Sequence, residues 1–135
     1  MTSPLIERLI SDHQYPQLST VNLQDFLQTH EYSVLFFSED PKRFPESNDV
    51  AVVLPELIKA FPQLQAGVID RQDEKKLQSQ FGFMSWPALV FMHKEQYLGT
   101  LTGIKDWSDY LTDIPRILAS EPTRPPSVGI PVVSN

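Results

Sequence analysis

No cysteine occurs among the 135 residues. Thiolate nucleophiles, thiolate metal sites and dithiol exchange are therefore excluded by inventory. Glycine is scarce, with five in all, and the sequence contains neither a Gly-x-Gly-x-x-Gly stretch nor a Walker-type phosphate loop. No apolar run approaches the ~20 residues that a bilayer-spanning helix needs. The opening Met1-Thr2-Ser3-Pro4-Leu5-Ile6-Glu7-Arg8 has neither a basic cluster nor a continuous apolar stretch that would direct secretion. A cytoplasmic location is the expectation. Basic residues are outnumbered, eleven against seventeen acidic ones, giving a net charge of −6. Such a surface repels a phosphate backbone, so nucleic acid is not an expected partner. It favours a partner with local positive charge, although modest negative charge also serves solubility. The three histidines, His13, His30 and His93, lie far apart without metal-ligand spacing, so no metal and no cofactor are expected. Serine, histidine and aspartate are all present, but no nucleophile-elbow motif accompanies them.

What is there is enough for one domain. A chain of this length hides roughly two-thirds of its unfolded surface on folding, so a core needs no staples. Ser3 and Pro4 open a short helix with Leu5, Ile6, Leu9 and Ile10 on one face. A brief edge strand is expected around Tyr15–Ser19, followed by a helix capped by Asn22 and striped with Leu23, Phe26, Leu27 and His30. Ser33–Ser38 is an apolar run short enough for a strand buried on both faces. After a polar loop from Glu39 to Asp49, Val50, Val53, Leu54, Leu57, Ile58 and Phe61 recur at helical spacing. Ser47, Asn48 or Asp49 is the expected cap, and Pro55 lies inside the helix. Gln65–Asp70 predicts a strand, Asp73–Phe81 a charged helix ending at Gly82, and Ala88–Met92 a second buried strand. Tyr97–Leu101 pairs back as a hairpin. The last helix places Trp107, Tyr110, Leu111, Ile114 and Leu118 on one face, with Pro115 inside. The expected domain spans residues 1–120, and the proline-rich residues 121–135 carry neither period, which reads as a disordered or extended tail.

The element order, the proline inside the long helix and Phe81-Gly82-Phe83-Met84-Ser85-Trp86-Pro87-Ala88-Leu89-Val90-Phe91 resemble the thioredoxin superfamily. The resemblance covers Tyr15 to Ala119 and implies a three-layer α/β/α sandwich around a central mixed sheet of four to five strands. Pro87 falls where that superfamily has a cis-proline, and Gly103 at the glycine after the fifth strand. Ser47 and Val50 fall at the two sulfur positions of Cys-x-x-Cys, and Val34–Phe37 lacks the buried aspartate found there. Redox chemistry is thus expected to be lost.

Ser38-Glu39-Asp40-Pro41-Lys42-Arg43-Phe44-Pro45-Glu46, then Asp49 and Leu54-Pro55-Glu56-Leu57, resemble the HyaE/HupG family of bacterial hydrogenase accessory proteins. So do Trp86-Pro87-Ala88 and Leu101-Thr102-Gly103-Ile104-Lys105-Asp106-Trp107. This implies a non-enzymatic assembly chaperone for [NiFe]-hydrogenase. The implied client is the small-subunit precursor with its twin-arginine signal peptide, and other accessory proteins are further candidate partners. Two places could hold that peptide. The loop containing Glu39, Asp40, Lys42, Arg43, Glu46 and Asp49 offers carboxylates that accept guanidinium groups in bidentate geometry; alternatively it is a solvated loop whose acids favour the helix start. The ledge at Trp86 and Pro87 could pair with extended peptide, with Trp86 as an aromatic anchor; alternatively Pro87 is purely structural and Trp86 belongs to the core. Two other functions stay open: a scaffold that shields the subunit from oxygen in a larger maturation complex, and, against the missing thiols, a thiol oxidoreductase or isomerase.

Overall fold

A computed structural model describes residues 3–125. Five helices and five strands follow in the order α1 (Pro4–Ser11), β1 (Gln17–Leu18), α2 (Leu23–Thr29), β2 (Tyr32–Phe37), α3 (Glu46–Ala60), β3 (Leu64–Ile69), α4 (Glu74–Phe81), β4 (Ala88–His93), β5 (Gln96–Thr102) and α5 (Trp107–Ala119). A single 3₁₀ turn, Arg71–Asp73, leads into α4. The sheet runs β1-β3-β2-β4-β5, with β1, β3 and β2 parallel and β4 and β5 antiparallel to their neighbours. The strands form where the sequence predicts them: β2 to β5 fall within a residue of their expected bounds, and β1 is shorter than the expected Tyr15–Ser19, starting two residues later. Central β2 and β4 are continuous apolar runs because helices cover both faces of the sheet.

Two apolar layers result. On one face Val34, Phe36, Leu89 and Phe91 meet Ile6 and Leu9 of α1, Leu54 and Leu57 of α3, and Tyr110, Ile114 and Ile117 of α5. On the other, Leu35, Phe37, Val90 and Met92 meet Leu23, Phe26 and Leu27 of α2 and Leu77 and Phe81 of α4. This is the expected α/β/α sandwich. His30 closes α2, with its Nδ1 2.9 Å from the Phe26 carbonyl oxygen.

Two expectations need correction. Helix α3 starts at Glu46 with Pro45 as its cap residue, not at Ser47–Asp49. The reason is that the Ser47 hydroxyl turns inward to donate to the Ser38 carbonyl, while the Ser3 hydroxyl bonds Asn48 Oδ1. Neither side chain is left to cap, and the proline's fixed φ suits a helix start. On α5, Trp107 and Leu111 do not share the buried face: each is 44% exposed. The core stripe is Tyr110, Ile114 and Ile117, and Leu111 is turned about 100° from Tyr110 around the helix. Among residues 121–125 the Thr123 N–H donates to the Tyr97 carbonyl at 2.9 Å; the remainder of the expected tail, 126–135, lies outside the described residues.

Candidate partner-binding site

The loop after β2 begins with a strained residue. Glu39 has φ 51°, a left-handed conformation that disfavours a side chain. It is held there from inside the protein. Both carboxylate oxygens of Glu74, at the start of α4, lie 3.0 Å from the Glu39 N–H and accept from it. Arg71 bridges the two acids, with Nη2 3.2 Å from Glu39 Oε1 and Nε 3.3 Å from Glu74 Oε2. The second contact is one of charge rather than an aligned hydrogen bond, and Arg71 Nη1 is buried without a partner. Glu74 is 1% exposed. Loss of hydration pushes its pKa up to about 7, against the pull of the Glu39 N–H and the Arg71 guanidinium. No period in the sequence marks Glu74 as inward, since its neighbours Asp73, Lys75 and Lys76 read as a solvated face.

The remaining loop acids are largely committed within the fold. Asp40 Oδ1 accepts from the Lys42 N–H at 3.0 Å, and its carbonyl accepts from Arg43 and Phe44, which makes a local turn. Glu46 Oε1 accepts from the Ile104 N–H at 2.7 Å, fastening the start of α3 to the turn after β5. Gly103 in that turn has φ 72°, and a Cβ there would lie 3.1 Å from the same carboxylate oxygen. Asp49 is exposed and its carboxylate has no partner among the described residues. Lys42 and Arg43 are exposed, with the Arg43 guanidinium 5.4 Å above the Phe44 ring.

Trp86 and Pro87 stand beside this loop. The Trp86–Pro87 bond is cis. Trp86 is half-buried between Phe44, at 5.6 Å between ring centroids, and Phe83, at 5.5 Å edge-on. Its indole Nε1 is buried and has no hydrogen-bond partner. The Pro87 carbonyl accepts from the Gly103 N–H at 2.8 Å. By contrast, the main chains of Ser85 and Trp86 make no hydrogen bond among the described residues. Met84, next to them, is 70% exposed. Loop and ledge thus meet through Phe44 and Trp86, and the meeting place carries an apolar side chain and unpaired main-chain groups together. Phe44, Phe83 and Met84 were not singled out from the sequence as site residues, because no periodic signal separates an exposed apolar residue in a loop from a buried one.

The two sulfur positions are closed. Ser47 is fully buried with its hydroxyl bonded inward, and Val50 is 1% exposed. Among the described residues no three His, Cys, Asp or Glu side chains gather as a metal site, and no helix is long and apolar enough to cross a membrane.

Residues 5–110 match the family model described as hydrogenase-1 expression protein HyaE. The chain belongs to that family. It is 51% identical over 134 residues to the hydrogenase expression/formation protein HoxO of Azotobacter vinelandii, covering 99% of this chain and 89% of that relative. The crystal structure of the hydrogenase expression/formation protein hupG from Rhodopseudomonas palustris CGA009 matches with a TM-score of 0.56 at 40% identity, over 77% of this chain and 95% of that one. Thioredoxin from Plasmodium falciparum matches with a TM-score of 0.64 at 15% identity, over 76% and 97%. That likeness concerns the fold alone, which is thioredoxin-like. In this HyaE-family chain the thioredoxin-like scaffold is kept while the positions of its thiols are buried and lack sulfur.

Proposed function

We propose that the protein is a non-enzymatic accessory factor in hydrogenase maturation that binds an extended segment of a client, the twin-arginine signal peptide of the small-subunit precursor, in the cytoplasm. Family membership supports the maturation role, since the relatives are hydrogenase expression/formation proteins. The observation that carries the binding mode is the unpaired main chain of Ser85 and Trp86 beside exposed Met84. Main-chain pairing supplies affinity to any extended peptide, and the flanking side chains select among peptides. Met84, Phe44 and Trp86 suit the apolar stretch of a signal peptide. Asp49, exposed on the first turn of α3 with its carboxylate unpaired, is the acid free to receive an arginine; Glu39, Asp40 and Glu46 contribute by shaping the loop and the helix start.

The test is a paired pull-down with precursor and with small subunit lacking its signal peptide. Retention of the precursor alone supports the reading. Equal retention of both forms overturns it in favour of a scaffold that shields the folded subunit.

A further inference from the structure

Buried polar groups are nearly always paired, because a donor left bare inside a protein loses its water and gains nothing in return. The Trp86 indole is an exception: protein atoms cover its Nε1, and none of them accepts from it. Trp86 as a whole is only half-buried. The bare donor therefore lies just beneath the surface, beside the unpaired main chain of Ser85 and of Trp86 itself.

The two rings that flank the indole differ in what they can do. Phe83 is 6% exposed and packs edge-on against fully buried Phe37 at 4.8 Å. The Gln78 side chain also donates to its carbonyl. Turning Phe83 would open the core. Phe44 is half-buried on the loop. Its N–H donates to the Asp40 carbonyl and its carbonyl accepts from the Ser47 N–H, both at 2.9 Å. The main chain of Phe44 is thus pinned, while its ring, at the surface, can turn between staggered positions.

We infer that Phe44 is a side-chain lid over Trp86: its ring turns outward when an extended client docks, and the bared indole N–H donates to a client main-chain carbonyl. This rests on the proposed capture of an extended peptide at the ledge, and adds to it a donor that fixes where one carbonyl of the peptide must fall. Trp86 then determines specificity through its N–H as well as its ring.

The test is a titration of the nitrogen-15-labelled full chain with a synthetic peptide of two adjacent arginines followed by an apolar stretch. The other tryptophan, Trp107, is 44% exposed, so Trp107→Phe assigns the two indole signals. In the free protein the Trp86 indole N–H is expected to resist exchange with water, and Phe44→Ala to abolish that resistance. On adding peptide the Ser85 and Trp86 amide signals shift and the indole proton moves downfield, as pairing with a carbonyl requires. Trp86→Phe keeps a ring without the donor and is expected to weaken peptide binding about fivefold to tenfold, the loss of one neutral hydrogen bond. The wild-type titration needs no variant to fold. Amide shifts with a stationary indole signal, undiminished affinity in Trp86→Phe, or exchange resistance that survives Phe44→Ala overturns the lid and leaves the ledge standing. No shift at Ser85 and Trp86 overturns the ledge, and the lid with it.

Discussion

Replacing Glu74 by glutamine tests whether the loop that frames the site rests on a buried, titrating carboxylate. The side chain is 1% exposed, and its pKa stands at about 7 in the folded protein against 4.5 for a free glutamate. Between those values the folded state binds more protons than the unfolded state, so stability falls as pH rises, and the contribution is fully present only below the unfolded pKa. Applying linkage to that pair of values, the wild type loses about 2 kcal/mol between pH 5.5 and pH 8 that the Glu74→Gln protein does not. Glutamine keeps an oxygen to accept from the Glu39 N–H but carries no charge to desolvate. The assay is urea unfolding at half-unit pH intervals, followed through circular dichroism and starting at pH 5.5 to stay clear of the sequence pI of about 4.9. The informative quantity is the difference between the two proteins, which removes every other titrating group not coupled to Glu74. Parallel profiles, or a wild type that gains stability relative to the variant as pH rises, would refute the reasoning.

Met84→Glu is expected to reduce retention of the precursor in a pull-down while leaving the melting temperature within a degree or two of wild type, because the side chain is 70% exposed; Thr112→Glu, exposed on α5, serves as the unaffected control. Asp49→Lys should weaken the same interaction and flatten its dependence on salt, since one exposed charge pair is removed. Gly67→Ala would place a Cβ 2.3 Å from Leu18 Cδ1, so the buried Leu18 side chain must shift, at a cost of about 1–3 kcal/mol measurable by denaturant unfolding. Installing cysteine at both Ser47 and Val50 should yield no insulin reduction above background, because a thiol at either buried position is shielded from a disulfide substrate.

The strands were legible because burial on both faces leaves an uninterrupted apolar run, and β2, β3 and β4 fall within one residue of where those runs place them. Helix starts were less legible. Ser47, Asn48 and Asp49 look like caps by type, but a hydroxyl or amide can satisfy a distant group instead, and Ser47 donates to Ser38 while Asn48 accepts from Ser3. On α5 the large residues Trp107 and Leu111 suggest an inward stripe by size. The inward stripe belongs to Tyr110, whose hydroxyl accepts from the Lys105 N–H at 3.2 Å, together with Ile114 and Ile117. Glu74 was illegible for a different reason: a carboxylate between charged neighbours reads as solvated, and only the return of the loop over α4 encloses it. Pro87 and Gly103 could be placed by resemblance, but the hydrogen bond between them, which closes off the Pro87 carbonyl, could not.

These particulars bear on the proposed capture of an extended peptide. Turning Ser47 inward and burying Val50 removes the tip of α3 as a reactive point, and the inward bond to Ser38 ties that tip to the end of β2. Glu46 ties the same helix start to the turn after β5. Three contacts tie these segments into the fold: the loop after β2 to α4 through Glu39 and Glu74, the start of α3 to the end of β2 through Ser47, and the turn at Gly103 to the start of α3 through Glu46. A rigid frame lowers the ordering cost of capturing an extended peptide. The polar groups left unpaired at its centre, on Ser85 and Trp86, are the ones an extended chain can satisfy without any chemical step.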